Sequence, residues 1–196
     1  KKRTIMKQII TLLTFILVSL STVSYAQSSS EVKRIERKTQ RDAEKARIQA
    51  QEERAYAMAS QALHDGKFVL EADQLVFKRG RSAFVSSITN FVMMDDNHAS
   101  IQVASNSAIA GPNGIGGITV DGNVRGLKIS TDKKGNMNCS FNVQGVGISA
   151  QVHITLTRGS NSASARISPN FHSNNLTLNG NLVPLSQSSV FKGRSF

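Results

Sequence analysis

The sequence is poor in residues that several common protein classes require. It contains one cysteine, Cys139, three prolines and no tryptophan among 196 residues. A single cysteine cannot form an internal disulfide, so the stability of the chain must come from a hydrophobic core. Both tyrosines, Tyr25 and Tyr56, precede residue 67. The later part therefore lacks the rings that usually stack on sugars, which disfavours carbohydrate binding.

The sequence also lacks an apolar run long enough to span a bilayer comfortably, where about 20 residues are needed. Its longest mostly apolar stretch runs from Ile9 to Leu20. A basic start precedes this stretch and small residues ending at Ala26 follow it, which is the order of a signal peptide. We expect Met6 to be the initiator, cleavage after Ala26, and no membrane span afterwards. No cysteine stands at that junction, so we expect an exported, periplasmic protein and not a lipoprotein.

Charge defines no partner by itself. The formal net charge is +11, and removal of Lys1, Lys2, Arg3 and Lys7 with the signal lowers it to +7. Residues 31–66 carry eight basic and seven acidic side chains. A diffuse charge of this kind supports solubility, and we expect no nucleic-acid partner.

The residues that follow the signal favour a long helix. Residues 27–66 are rich in Ala, Arg, Lys, Gln and Glu and contain no glycine or proline before Gly66, a composition that favours a helix ending at Asp65-Gly66. Apolar residues become dense only after Ala55, so we expect the last third to dock on the rest of the protein. We interpret the remainder of 27–66 as a charged arm. A partner-binding helix or an oligomer formed through residues 31–65 is the alternative.

From Lys67 onward the apolar residues alternate with polar ones. Met137, Cys139, Phe141 and Val143 alternate with polar residues, and the same pattern runs from Ile148 to Leu156. This period of two predicts half-buried antiparallel strands, and short turns between them predict a meander. We therefore predict a mainly β fold with a curved sheet, barrel or sandwich over residues 67–196, preceded by one long helix.

Residue types used in catalysis occur without a convincing arrangement. Cys139 lies on the apolar face of its strand, and the histidines lack the spacing of a metal site. Glu71 and Asp73 fall on one face of a regular strand, about 7 Å apart, which also suits a charged solvent face. The glycine-rich stretch 111–117 lacks the lysine of a nucleotide-binding loop and is interpreted as a mobile rim loop. We predict no catalytic residue, no metal and no cofactor.

Four segments together resemble the DUF4251 family, a family of unknown function from Bacteroidetes. They are LHDGKFVLEAD (63–73), GPNGIGG (111–117), STDKKGN (130–136) and SPNF (168–171). The resemblance extends over roughly residues 59–196. It implies an exported, envelope-associated β protein, and it assigns no catalytic residue.

Three hypotheses for the function follow. The first is a non-catalytic binding or interaction module of the cell envelope, whose partner is an unidentified envelope protein. The second is a carrier of a small apolar or lipid ligand in the mouth of a lipocalin-like barrel. The third is a hydrolase that uses Glu71, Asp73 or His153. Candidate ligand-binding residues are Phe68, Phe77, Phe141, Ala150, Ile154, Gly114 and Gly116.

Overall fold

A computed structural model describes residues 2–104, 117–146, 148–170 and 175–193, with side chains from residue 31 onward. The chain divides into two compact units, Lys1–Ala50 and Gln51–Phe196. Within the described residues, no helix is long and apolar enough to cross a membrane. The elements in chain order are helix α1 (Lys2–Asp65), strands β1 (Lys67–Phe77), β2 (Ser82–Phe84), β3 (Phe91–Asp95), β4 (His98–Ala104), β5 (Gly117–Thr131), β6 (Met137–Gly145), β7 (Ser149–Leu156), β8 (Ser162–Pro169) and β9 (Leu176–Pro184), and a short 3₁₀ helix η1 (Leu185–Gln187).

Helix α1 ends where its sequence predicts. Gly66 has a φ of 66°, a left-handed conformation that glycine adopts without steric cost and that commonly terminates helices. Its carbonyl oxygen accepts a hydrogen bond of 2.9 Å from the amide of Asp96. The expected docking of the last third is also observed, since Ala59, Ala62 and Leu63 are buried in the core cluster.

The strands form a closed antiparallel barrel. The pairing order is β1, β3, β4, β5, β6, β7, β8 and β9, and β9 pairs with β1 to complete the circle. Strand β2 is extra and pairs with the second half of β1. The prediction of a mainly β meander behind a helix is confirmed, and a barrel is formed among the three possibilities that the sequence left open.

Alternation of side chains fills the barrel. On β6 the predicted inward set of Met137, Cys139, Phe141 and Val143 is buried, while the intervening side chains are partly or fully exposed. A bulge in β1 shifts its register between Ala72 and Gln74, so the inward positions change parity along this strand. The interior of an eight-stranded barrel is just wide enough for side chains to fill.

Part of the outer surface of the barrel is covered as well. After η1, residues 188–193, here called the C-terminal strap, make hydrogen bonds to β1, β4 and β5. The outward-facing Val69 and Phe91 are fully buried and lie outside the core cluster of the interior. Ser100 and Gln102 on β4 are also completely buried, which is unusual for polar side chains on the outer face of a barrel.

Candidate binding pocket at the helix end of the barrel

A pocket lined by described residues lies where α1 meets the barrel. It has a volume of about 690 Å³ and is mostly apolar. We call it the helix-end pocket. Its lining residues come from the last turns of α1, the start of β1, the end of β3, the end of β9 and η1: Ala57, Met58, Gln61, Ala62, Asp65, Lys67, Asp95, Pro184, Leu185 and Ser186.

Helical periodicity creates one wall of this pocket. Tyr56, Ala59, Ser60 and Leu63 follow the spacing of one helix face, and this face docks on the barrel. The Tyr56 hydroxyl donates to the carbonyl of Gly135 over 3.1 Å, and Ala59 and Leu63 are buried. The neighbouring face, which includes Met58, is left to line the pocket.

Another part of the lining is formed by Pro184, Leu185 and Ser186, at and just after the end of β9. Pro184 pairs with Phe68 at the start of β1, so the chain leaves the sheet beside the end of α1. The side-chain amide of Gln187 lies 3.7 Å from the Met58 sulfur. This contact joins η1 to the helix at the edge of the pocket.

The rim of the pocket carries more negative than positive charge. Asp65 and Asp95 line it, and Lys67 makes an ion pair of 3.1 Å with Asp96. The hydrogen bond to Asp96 and the charges of Asp96, Asp95 and Asp65 raise the pKa of Lys67 above its usual value. The pocket also adjoins the C-terminal end of α1, where the helix dipole is negative. This combination favours an apolar group that carries a positive charge.

A second polar cluster surrounds Asp121 on the outer face of β5. Its carboxylate accepts hydrogen bonds from Ser100, from Lys192 over 2.6 Å and from His98 Nε2 over 2.7 Å. Burial raises the pKa of Asp121, but the hydrogen bonds from Lys192, Ser100 and His98 outweigh this effect, so the pKa lies below its usual value. The arrangement has the residue types of a Ser-His-Asp triad in a different order. In a triad histidine lies between the other two, whereas here the aspartate does, so the observed bonds hold the strap and do not activate Ser100.

Four of the sequence-predicted ligand residues lie together in the packed interior. Phe68, Phe141, Ala150 and Ile154 are at most 2% exposed and belong to one core cluster. None of the four lines the helix-end pocket. Their proposed role in binding a ligand stays a prediction.

Phe77 occupies a different position, at the end of the barrel away from α1, which we call the barrel mouth. It ends β1 and is 43% exposed. Ile118 near the start of β5 and Val146 in the turn after β6 are also exposed, by 44% and 82%. The barrel mouth therefore carries accessible apolar side chains. Gly114 and Gly116, the other two predicted residues, lie outside the described residues.

Among the described residues, no hydrogen bond or ion pair joins Glu71, Asp73 and His153, the residues of the hydrolase hypothesis. Asp73 lies at the bulge of β1, so the spacing of about 7 Å from Glu71, which assumed a regular strand, does not apply. The Glu71 carboxylate accepts a hydrogen bond of 2.6 Å from Ser188 in the strap. His153 is exposed on β7. Burial raises the pKa of the Cys139 thiol to about 12, which disfavours the thiolate needed for nucleophilic attack.

In the described part of the chain, no group of three or more His, Cys, Asp or Glu side chains is placed to hold a metal ion. Neither the helix-end pocket nor the Asp121 cluster was predicted from the sequence. The helix-end pocket joins residues from positions 57 to 186, and the Asp121 cluster joins positions 98 to 192. The available signal for the pocket was the charged sequence Asp65-Gly66-Lys67 at a helix-to-strand junction.

Comparison with known proteins places the barrel in a family. Residues 50–182 match the family described as "Domain of unknown function (DUF4251)". This chain belongs to the DUF4251 family. A DUF4251 family protein from Bacteroides eggerthii DSM 20697, known from a crystal structure, has 55% sequence identity to this chain. The two structures superpose with a TM-score of 0.65, and the match covers 76% of this chain and 99% of that chain. Among curated proteins, none matches this sequence.

Membership of DUF4251 confirms the resemblance seen in the sequence. The matched range includes all nine strands except the last two residues of β9. It also includes the α1 side of the helix-end pocket, from Ala57 to Asp65, whereas Pro184, Leu185 and Ser186 lie beyond it. Residues 31–49 of the arm precede it.

Proposed function

We propose that this DUF4251 protein is a non-catalytic binding module exported to the cell envelope, and that the helix-end pocket is its binding site. The partner presents an apolar side chain next to a positively charged group, as an extended peptide segment with a leucine beside a lysine would. The observation that carries this proposal is the pocket of about 690 Å³ with an apolar lining and Asp65, Asp95 and Lys67 at its rim. Export rests on the basic, apolar and small-residue order of residues 1–26.

The chemistry of the pocket supports binding in preference to catalysis. Its carboxylates, Asp65 and Asp95, lie at an open rim, and Asp65 accepts a hydrogen bond of 2.8 Å from Gln61. The lining contains no serine–histidine or cysteine–histidine pair. An apolar floor supplies burial energy of about 25 cal/mol per Å², and the carboxylates select the charge of the ligand.

The test is a titration of the protein with two matched peptides, followed by NMR of the backbone amides. Both peptides are hexapeptides with the same uncharged residues at the other positions. The first contains Leu-Lys where the second contains Leu-Glu. We expect the Leu-Lys peptide to bind more tightly and to shift amides around Met58 and Leu185. The double change Asp65→Asn and Asp95→Asn should weaken Leu-Lys binding by roughly two- to thirtyfold, at about 0.2–1 kcal/mol for each exposed charge.

Two further variants make this test specific. Met58→Glu places a charge in the apolar lining and should abolish binding, whereas Gln151→Glu on the exposed outer face of β7 should leave it unchanged. Equal affinity for the two peptides, or shifts confined to residues outside the pocket, would contradict the proposal. Circular dichroism of each variant establishes that the fold is retained.

A second candidate function is supported by the exposed apolar residues of the barrel mouth. Phe77 and Ile118 are 43% and 44% exposed, as a site for a small apolar or lipid ligand requires. Under this hypothesis a fatty-acid probe should bind, and the double variant Phe77→Ser and Ile118→Ser should weaken its binding at least tenfold. Met58→Glu should have no effect on fatty-acid binding. Met58→Glu and the double variant of Phe77 and Ile118 therefore distinguish the two functions.

A further inference from the structure

The first unit of the chain carries a concentrated positive surface. Every residue from Glu31 to Arg54 is exposed. A shallow groove of about 590 Å³ on α1 is lined by six cationic side chains and one carboxylate, that of Asp42. We call the six the basic stripe: Lys33, Arg34, Arg37, Lys38, Arg41 and Lys45.

Helix geometry explains why these residues form one surface. At about 100° per residue, the six positions fall within a sector of about 140°, and from Lys33 to Lys45 they extend about 18 Å along the axis. Over the whole of residues 31–66 the charge is nearly balanced. Within residues 31–50, however, seven basic residues stand against four acidic ones.

Of the four acidic residues between positions 31 and 50, only Asp42 lines the groove. Glu44 makes an ion pair of 3.0 Å with Arg47, which is not part of the stripe. Residues 31–49 also precede the range that matches DUF4251, so the stripe belongs to a part of the chain that the family match does not cover.

We propose that the basic stripe binds the surface of an anionic lipid membrane. The choice of a lipid surface rests on the proposed export, because lipid headgroups are the extended anionic surface that an envelope protein meets. A single-stranded nucleic acid is disfavoured because residues 31–55 contain no aromatic side chain on which bases could stack. Six exposed cations along one side of a helix suit the flat array of charges at a bilayer.

The experiment measures binding of the exported protein to lipid vesicles by flotation. One set of vesicles contains phosphatidylglycerol and phosphatidylcholine, and the other contains phosphatidylcholine alone. Mass spectrometry establishes the N-terminus of the protein used. We expect binding only to the vesicles that contain phosphatidylglycerol, and loss of binding in 500 mM salt because the interaction is electrostatic. Since each Lys or Arg near an anionic surface contributes roughly a fivefold factor, the triple variant Arg34→Gln, Lys38→Gln and Arg41→Gln should bind at least tenfold more weakly.

A control triple variant removes the same charge elsewhere. Arg79, Lys128 and Lys133 are exposed and lie on the barrel, outside the basic stripe, so changing all three to Gln should alter vesicle binding by less than threefold. Equal losses in the two triple variants would overturn the proposal, because net charge alone would then explain binding. Binding to neutral vesicles, or to an oligonucleotide but not to vesicles, would also overturn it. None of these outcomes depends on the peptide titration of the helix-end pocket.

Discussion

Gln102 is the side chain whose replacement should destabilise this protein most specifically. It is completely buried on the outer face of β4 and uses its whole amide. Its nitrogen donates to the carbonyl oxygens of Thr89 over 3.0 Å and Phe191 over 2.7 Å. Its oxygen accepts from the Gly193 amide over 2.7 Å and from the Thr119 hydroxyl over 3.0 Å. One residue thus joins β4, β5, the segment before β3 and the C-terminal strap.

Gln102→Met retains the approximate volume of the side chain and removes all four hydrogen bonds. Each bond contributes about 0.5–1.5 kcal/mol net, and the strap can loosen to admit water, so we expect a loss of about 2–4 kcal/mol. Because mesophilic domains of this size are stabilised by about 5–15 kcal/mol, the loss is a large fraction of the total. At about 3 °C for each kcal/mol, the melting temperature should fall by roughly 6–12 °C.

Urea denaturation gives the free energy of unfolding of wild type and variant, and amide hydrogen exchange locates the change. We expect the amides of Phe191 and Gly193 to exchange faster in the variant, while that of Val152 in β7 keeps its protection at low denaturant. Gln151→Met, on the exposed face of β7, should change the stability by less than about 0.5 kcal/mol. A loss below 1 kcal/mol in Gln102→Met, or unchanged exchange at Gly193, would refute the assignment of Gln102 as the anchor of the strap.

Two further predictions concern charge and close packing. Because the pKa of Asp121 is lowered in the folded state, its contribution to stability is present above the ordinary carboxyl value of 3.8 and is lost as the pH falls further. Asp121→Asn should therefore lower the free energy of unfolding by about 2 kcal/mol at pH 7. Urea titrations should show that the difference in stability between wild type and variant disappears in acid, whereas a difference independent of pH would contradict the role of the charge. Gly180→Ala should destabilise the protein by about 1–3 kcal/mol, since the added methyl group would clash with the carbonyl oxygen of Glu71. Thermal unfolding measures the effect. A loss of stability no greater than that of Asn181→Ala, at the neighbouring exposed position, would contradict this prediction.

Local sequence signals predicted the helix end and the regular strands well. The Asp65-Gly66 boundary follows from glycine chemistry, and the alternation on β6 and β7 matches their observed burial. Both features depend on residues that are close in sequence. Strand β4 illustrates the limit: Ser100 and Gln102 have the pattern of a solvent-facing edge, yet both are buried because the strap, some 90 residues later, covers them. No local pattern contains that information.

The candidate sites were harder to predict for the same physical reason. The helix-end pocket is lined by residues as distant in sequence as Met58 and Leu185. The pairing of β9 with β1, which places both at the same end of the barrel, exists only in the closed barrel. The bulge in β1 also changes which side chains face inward, so a period of two applied along the whole strand misplaces Asp73. Closure and register are global properties of the sheet.

Packing of the interior limits where a DUF4251 barrel of this kind can bind a partner. The predicted inward residues Phe68, Phe141 and Ile154 are buried to within 1%, and eight strands leave little room beyond such side chains. A ligand that entered between them would have to displace core contacts, at a cost of several kcal/mol. Binding at either end of the barrel avoids this cost. The helix-end pocket and the barrel mouth are therefore the two positions to compare, and Met58→Glu against Phe77→Ser separates them with one substitution at each.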